Sequence, residues 1–251
     1  MPRVISFRLA AACALALVLT FAVAGSVGAK GVPAELRVIG SGGKLLAEMS
    51  VGMGPETVKT SPAATCFGAG TGGSGESVAV KGNTALGLLA RASKGIAALR
   101  PLSISDHFDF GLALCGIGSS VAKGSSSWYL KINHKAQQVS GDAAKIHAGD
   151  EVLWVLAKTE APDYKYPNEL ALTVPKSATA GTAFTVQVFS YDEKGKRKPV
   201  AGAKVTGAAA PTGSDGRTQV TLGKPAKLMA TKAGEITSAR EPVCVGGKCP
   251  K

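Results

Sequence analysis

The 251-residue sequence predicts an exported chain of two domains, the first α+β and the second all-β. Three observations carry that prediction. Most segments alternate apolar and polar residues at the period of a half-buried strand. One stretch alone, opening at Asn83, repeats its apolar residues at helical spacing. Beyond a polar stretch with two prolines at residues 160–167, no helical period recurs. A hydrophobic share of 45% is enough for one large core or two modest ones and excludes wholesale disorder. The 32 glycines lack a three-residue period, which excludes collagen.

Residues 1–29 read as a secretory signal peptide. Arg3 and Arg8 form a basic start, residues 9–24 are an almost unbroken apolar run, and Val27 and Ala29 are small residues placed for cleavage before Lys30. Ala22-Val23-Ala24 offers a second cut, after Ala24. The run is short for a spanning helix, and no later segment is apolar enough to span a bilayer. Cys13 lies inside the run, whereas a lipid-attachment cysteine ends one. Cleavage after Ala29 leaves 222 residues with a net charge of +10, to be found secreted or associated with the cell envelope.

The first domain is expected over residues 30–159. Ala34-Glu35-Leu36-Arg37-Val38 alternates as a strand, and Gly40-Ser41-Gly42-Gly43 turns the chain into a second strand over residues 44–51. Residues 60–75, rich in Ser, Pro, Thr and Gly, form a loop that holds Cys66, and residues 77–81 a short strand. Asn83 or Thr84 caps the helix, whose apolar face is Ala85, Leu86, Leu88, Leu89 and Ala92. Residues 96–99 extend it past Gly95 at most as far as Pro101. Residues 110–117 are a buried strand, and Asp106-His107-Phe108-Asp109 before it a solvated loop. Trp128, Leu130 and Ile132 alternate with Tyr129 and Lys131, Asn133-His134-Lys135 turns the chain, and Val152, Trp154 and Leu156 alternate again after the Gly149-Asp150 turn. One helix over a mixed sheet of short strands is a β-grasp-like arrangement.

Residues 160–168 are the expected linker and residues 169–251 the second domain. Strand candidates fall at residues 169–174, 183–191, 203–205, 218–222, 227–231 and 241–245, separated by turn signals such as Ala180-Gly181, Ser214-Asp215-Gly216 and Ala233-Gly234. Strands this short and closely spaced predict an immunoglobulin-like β-sandwich.

After export four cysteines remain: Cys66, Cys115, Cys244 and Cys249. An even number fits two disulfides, with three pairings open. Cys66–Cys115 and Cys244–Cys249 are preferred because each pair falls within one domain. A zinc site would want close pairs on both sides, and only Cys244 and Cys249 are close. Residues 30–159 carry 13 basic and 9 acidic residues, and residues 160–251 carry 14 and 8. This even excess, on an exported chain without interleaved aromatics, argues against nucleic acid. It leaves a weak, salt-sensitive attraction to anionic cell-envelope polymers, densest at the hairpin tip Lys194-Gly195-Lys196-Arg197-Lys198.

Two stretches resemble known families. Residues 77–157 resemble the transcobalamin-like C-terminal domain family, largely a bacterial domain of unknown function. The likeness rests on Asn83-Thr84-Ala85-Leu86-Gly87-Leu88-Leu89, on residues 110–117, on Ser127-Trp128-Tyr129-Leu130-Lys131-Ile132-Asn133 and on Ala148-Gly149-Asp150-Glu151-Val152-Leu153-Trp154, in that order. The family places Gly after the turn Asn, where this chain has His134. A two-residue turn of type I′ needs positive φ at both positions, so His134 predicts a longer or different turn. Residues 165–246 resemble bacterial immunoglobulin-like repeats through Pro199-Val200-Ala201-Gly202-Ala203-Lys204-Val205 and Thr212-Gly213-Ser214-Asp215-Gly216-Arg217-Thr218. The first resemblance implies a ligand-binding or docking domain. In cobalamin carriers that domain works beside a helical-barrel domain absent from this chain, which argues against tight cobalamin binding here. The second implies a module that spaces, displays or adheres.

Catalytic patterns are weak. Gly68-Ala69-Gly70-Thr71-Gly72-Gly73 has dinucleotide-loop spacing but lacks the preceding strand and following helix. His107, His134 and His147 with Ser126 and Asp150 hold the residue types of a triad without spacing that joins them. Asp163, Asp192 and Glu193 are carboxylates at one expected sandwich end, with no calcium-loop motif. No catalytic residue, metal or cofactor is therefore assigned. Trp128, Tyr129, Asn133 and Trp154 are the candidate ligand-binding residues: the indoles pack in the core by default, and stack a flat ligand wherever a face lines a cleft. The function expected is non-enzymatic binding of a small molecule or glycan through the first domain. The alternatives are a structural adhesion or spacer protein, or an enzyme accessory subunit.

Overall fold

A computed structural model describes residues 33–159 and 164–250. The expected signal peptide with its Ala29–Lys30 cut, and residues 160–163 of the expected linker with Asp163, lie outside the described residues. The first alternating run forms β1 (Pro33–Ile39), with Ala34, Leu36 and Val38 buried on one face. Gly42 and Gly43, at φ 67° and 76°, turn the chain where a Cβ would be strained. It returns antiparallel as β2 (Leu45–Gly52). A hairpin of β3 (Glu56–Lys59) and β4 (Ser77–Val80) brackets the loop that holds Cys66. Helix α1 (Ala85–Gly95) follows, capped by Thr84, whose hydroxyl accepts from the Gly87 N–H. Its Leu86, Leu88 and Leu89 are fully buried, each worth about 2 kcal/mol of transfer free energy.

The chain continues through β5 (Leu102–Phe108), β6 (Gly111–Ile117) and β7 (Ser120–Val121), an antiparallel sheet, then β8 (Ser126–Ile132), β9 (Lys135–Ala136) and β10 (Glu151–Lys158). A five-stranded mixed sheet has the order β2-β1-β10-β8-β9, with β1 parallel to β10 and the other pairs antiparallel. Val152 and Trp154 of β10 pack into the core under α1, while Leu153, Val155 and Ala157 pack on the opposite face with Tyr129 and Ile236. Burial on both faces is why Val152 to Ala157 reads as an unbroken apolar run.

The remaining described residues are all-β. They form β11 (Glu169–Thr173), β12 (Ser177–Ala178), β13 (Ala183–Tyr191), β14 (Arg197–Pro199), β15 (Lys204–Val205), β16 (Arg217–Thr221), β17 (Ala226–Leu228), β18 (Ala230–Thr231) and β19 (Glu241–Val245). Strand β13 pairs antiparallel with β11, β14 and β16, and β19 lies between β12 and β17. Leu170, Val186, Val188, Val220, Leu228 and Val243 fill a second core. Both preferred disulfides are present, Cys66–Cys115 and Cys244–Cys249, which closes the zinc alternative. No helix among the described residues is long and apolar enough to cross a membrane.

Two local expectations are corrected. Residues 102–108 form a strand, with Ile104 and Ser105 fully buried; Asp106 and His107 sit in an irregular stretch of its pairing with β6, which hides the alternation. The turn at His134 is not lengthened. Ile132 pairs with Lys135, and Asn133 and His134 take φ 49° and 67° as a two-residue turn. The His134 ring is held there by the Glu169 carboxylate, 3.1 Å from Nδ1, and by stacking on Tyr191 with centroids 4.0 Å apart. Those contacts offset the strain that Gly would avoid.

Candidate functional site

The register of β8 against β10 sets Trp154 opposite Leu130 and Leu156 opposite Trp128. The two indoles are therefore diagonal neighbours on one face of the sheet. They line a cleft of about 640 Å³ together with Tyr129, the apolar side chains of Leu112 and Leu114, and the loop at residues 137–141. Gly141 lies so close over Trp154 that a Cβ there would stand 2.6 Å from Cη2. The rim is aromatic. Phe67 and Phe110 are each 57% exposed, and both pack on Phe108, with centroids at 5.3 Å and 4.8 Å. The Cys66–Cys115 disulfide ties the Phe67 loop to β6. Four of the six large apolar side chains exposed among the described residues (Phe67, Phe110, Val139 and Tyr164) line this cleft. The exposed apolar side chains are thus concentrated at one cleft rather than scattered singly.

The polar atoms point the same way. Trp128 Nε1, Trp154 Nε1, Tyr129 Oη and Ser140 Oγ are buried without a hydrogen-bond partner. Each residue lines the cleft. The other buried polar atoms without a hydrogen bond, on Glu56, His134 and Glu169, are held in ion pairs instead. An unpaired buried donor costs about 1–3 kcal/mol, so each of these groups calls for a partner. Burial pushes the Tyr129 hydroxyl well above its ordinary pKa, and the Glu193 carboxylate pushes it further, so it remains a donor. The lining contains one carboxylate, Glu193, and no Lys or Arg.

The other face of β8 carries structural contacts. Tyr129 stacks on Tyr166 at 3.9 Å, and the Ser127 and Tyr166 hydroxyls lie 2.6 Å apart. Lys131, 1% exposed, pairs with Glu169 at 3.2 Å, and Arg37 closes on the other Glu169 oxygen. Burial alone would raise the Glu169 pKa, but His134, Arg37 and Lys131 together hold it below its ordinary value. Burial also lowers the Lys131 ammonium pKa, against the pull of Glu169. A smaller crevice of about 280 Å³ beside this cluster is lined by Glu48, Glu151, Glu241 and Arg240. There, burial and the neighbouring Glu151 and Glu48 raise the Glu241 carboxyl.

Of the four candidate ligand-binding residues, the structure brings together Trp128, Tyr129 and Trp154 and sets Asn133 apart. The Asn133 amide donates to Asp150 at 2.8 Å and its oxygen accepts the Glu151 N–H at 2.9 Å, bracing the turn at the far end of β8. The triad residue types make other contacts. Ser126 Oγ donates to the Lys123 carbonyl, His107 and His147 are exposed, and Asp150 accepts the His147 N–H. Asp106 accepts from both the hydroxyl and the N–H of Ser74, bonds that hold its carboxyl low. Asp192 caps the N–H groups of Lys194 and Lys196, and the Glu193 carboxylate accepts the Tyr166 N–H. Among the described residues no cluster of His, Cys, Asp and Glu could hold a metal. The basic hairpin is seated on the first half of the chain, since the Glu193 carbonyl accepts the Ala136 N–H at 2.9 Å.

Phe67, Phe110, Ser140, and Tyr164 and Tyr166 of the expected linker, are not marked out by the sequence pattern. A phenylalanine beside a disulfide cysteine in a Gly-rich loop is the one signal that would have flagged the rim. No protein-family model matches the chain, and no curated protein matches it.

Proposed function

We propose that this is an exported, non-enzymatic binding protein whose ligand seats in the Trp128–Tyr129–Trp154 cleft. The observation that carries the proposal is that, among the described residues, every buried side-chain polar atom with neither a hydrogen bond nor an ion pair belongs to a residue of that one cleft, beneath an exposed aromatic rim. Two disulfides and an apolar leader favour export. On this proposal residues 30–159 are a β-grasp-like domain of the transcobalamin C-terminal kind. Its support is the helix laid on a mixed sheet with β1 parallel to β10. The strands from Glu169 onward are an immunoglobulin-like sandwich that presents it. The ligand is uncharged or cationic, because the lining holds Glu193 and no base in a chain with 29 Lys and Arg.

The test uses the chain's own reporters, because both of its tryptophans line the cleft. The mature protein is titrated with neutral oligosaccharides, small aromatic amides, a corrinoid and short peptides. Intrinsic fluorescence and thermal unfolding are read in parallel. A saturable fluorescence change with a raised Tm, lost in Trp128→Ala, supports the cleft. A Tm shift that leaves tryptophan emission unchanged places the ligand elsewhere.

A further inference from the structure

The residues lining the cleft come in consecutive runs, 112–114, 126–130 and 137–141. Successive side chains of a strand point to opposite faces, so five neighbours line one cavity only where the cavity faces the strand's edge. The hydrogen-bond pattern agrees. The Asn133 N–H donates to Glu151 and the Thr159 N–H to Ser125, which in this register makes the odd-numbered residues of β8 the ones bonded to β10. The even-numbered residues face outward. Strand β9 covers that outer edge only at Lys131 and Ile132, and one further bond runs from the Gln137 N–H to the Leu130 carbonyl. The Trp128 N–H and C=O and the Leu130 N–H then face away from β10, beyond the reach of β9, and no loop or turn bond among the described residues engages them. Strand β6 also lines the cleft, through Leu112, Ala113 and Leu114.

Open edges are normally blunted by lysine, proline or a covering element. Residues 126–130 read Ser-Ser-Trp-Tyr-Leu and carry none of these charges or prolines. The walls alternate as a strand-addition groove requires, with Trp128, Leu130 and Trp154 on one side and Tyr129 and Tyr166 on the other. We infer that the cleft takes an extended peptide segment of a partner protein, which adds a strand to the open edge of β8 over residues 126–130. This rests on the cleft being the binding site. Main-chain bonds to Trp128 and Leu130 hold the segment, and apolar side chains at alternate positions enter the two walls. Glu193 and the lack of a lining base select a segment that is uncharged or basic.

The experiment selects random displayed octapeptides against the full mature chain and synthesises those enriched. Each is made in two N-methylated forms, blocking alternate amides in turn, with side chains kept. Strand addition predicts enriched peptides that alternate apolar residues and lack Asp and Glu. It predicts at least tenfold weaker binding for one methylated form and little change for the other. It also predicts slowed amide exchange at Trp128 and Leu130 on binding. Equal binding of both methylated forms, or unprotected Trp128 and Leu130 amides, would overturn strand addition. A neutral oligosaccharide that changes tryptophan emission without protecting those amides refutes the peptide while leaving the cleft standing. If no peptide alters emission or exchange, strand addition falls, and if no oligosaccharide, aromatic amide or corrinoid does either, the cleft proposal falls with it.

Discussion

Replacing Glu169 by Gln removes one charge from the centre of a buried network and leaves two cations behind. Lys131 is 1% and Arg37 8% exposed, so neither can turn to water without moving its strand. At 3.2 Å the Lys131–Glu169 attraction alone is about 5 kcal/mol at an effective dielectric of 20. Removing one partner of a buried pair typically costs about 3–5 kcal/mol, because the remaining charge stays desolvated. Urea unfolding of Glu169→Gln at neutral pH is expected to show a loss in that range. Lys131→Met alone should lose less, since Glu169 keeps Arg37 and His134. The double variant should be more stable than the sum of the two losses predicts. The acid limb supplies a second reading. The folded pKa of Glu169 lies below its ordinary 4.5, so its contribution is fully present above that value and is lost as pH falls through the lower folded value. Glu169→Gln should flatten that decline. A loss below about 1 kcal/mol with additive double-variant behaviour would show that the network is solvated, contrary to the reasoning from burial.

Three further outcomes are expected. Replacing Cys66 and Cys115 together by Ala opens a loop with a sequence separation of 49 and should lower stability by about 4 kcal/mol in the chain-entropy view, read by unfolding in non-reducing buffer; unchanged stability would refute it. Gly141→Val puts a Cβ into Trp154 Cη2 and should cost about 1–3 kcal/mol while shifting tryptophan emission, and a silent spectrum would contradict the close approach. Thr84→Ala removes the hydroxyl that accepts the Gly87 N–H and should cost about 1 kcal/mol, and loss of less than a few tenths would mean the cap is not formed in solution.

The parts of the fold written in local pattern were legible. Helix α1 announced itself through Thr84 and the spacing of Leu86, Leu88 and Leu89, and β1, β8 and β10 through alternation and apolar runs. What depended on partners far along the chain was not. The β5 strand was masked because Asp106 and His107 lie where its pairing with β6 slips. The turn at His134 departs from the expected longer turn because its strain is offset by Glu169 and Tyr191, 35 and more residues away. For the cleft, Trp128, Tyr129 and Trp154 stood out by residue type, while Asn133, in the turn that ends β8, belongs to a separate bonding network. Phe67 joins the rim only through the Cys66–Cys115 crosslink and could not be placed by spacing.

The stack of Tyr129 on Tyr166 has a thermodynamic corollary. Both rings line the cleft, and Tyr129 also supports the segment that leads into β11. Any occupant that tilts Tyr129 must break that stack, and any change that strengthens the stack must resist the tilt. If the proposed ligand tilts Tyr129, occupancy of the cleft and attachment of the second half of the chain are reciprocally coupled, each altering the free energy of the other by the same amount.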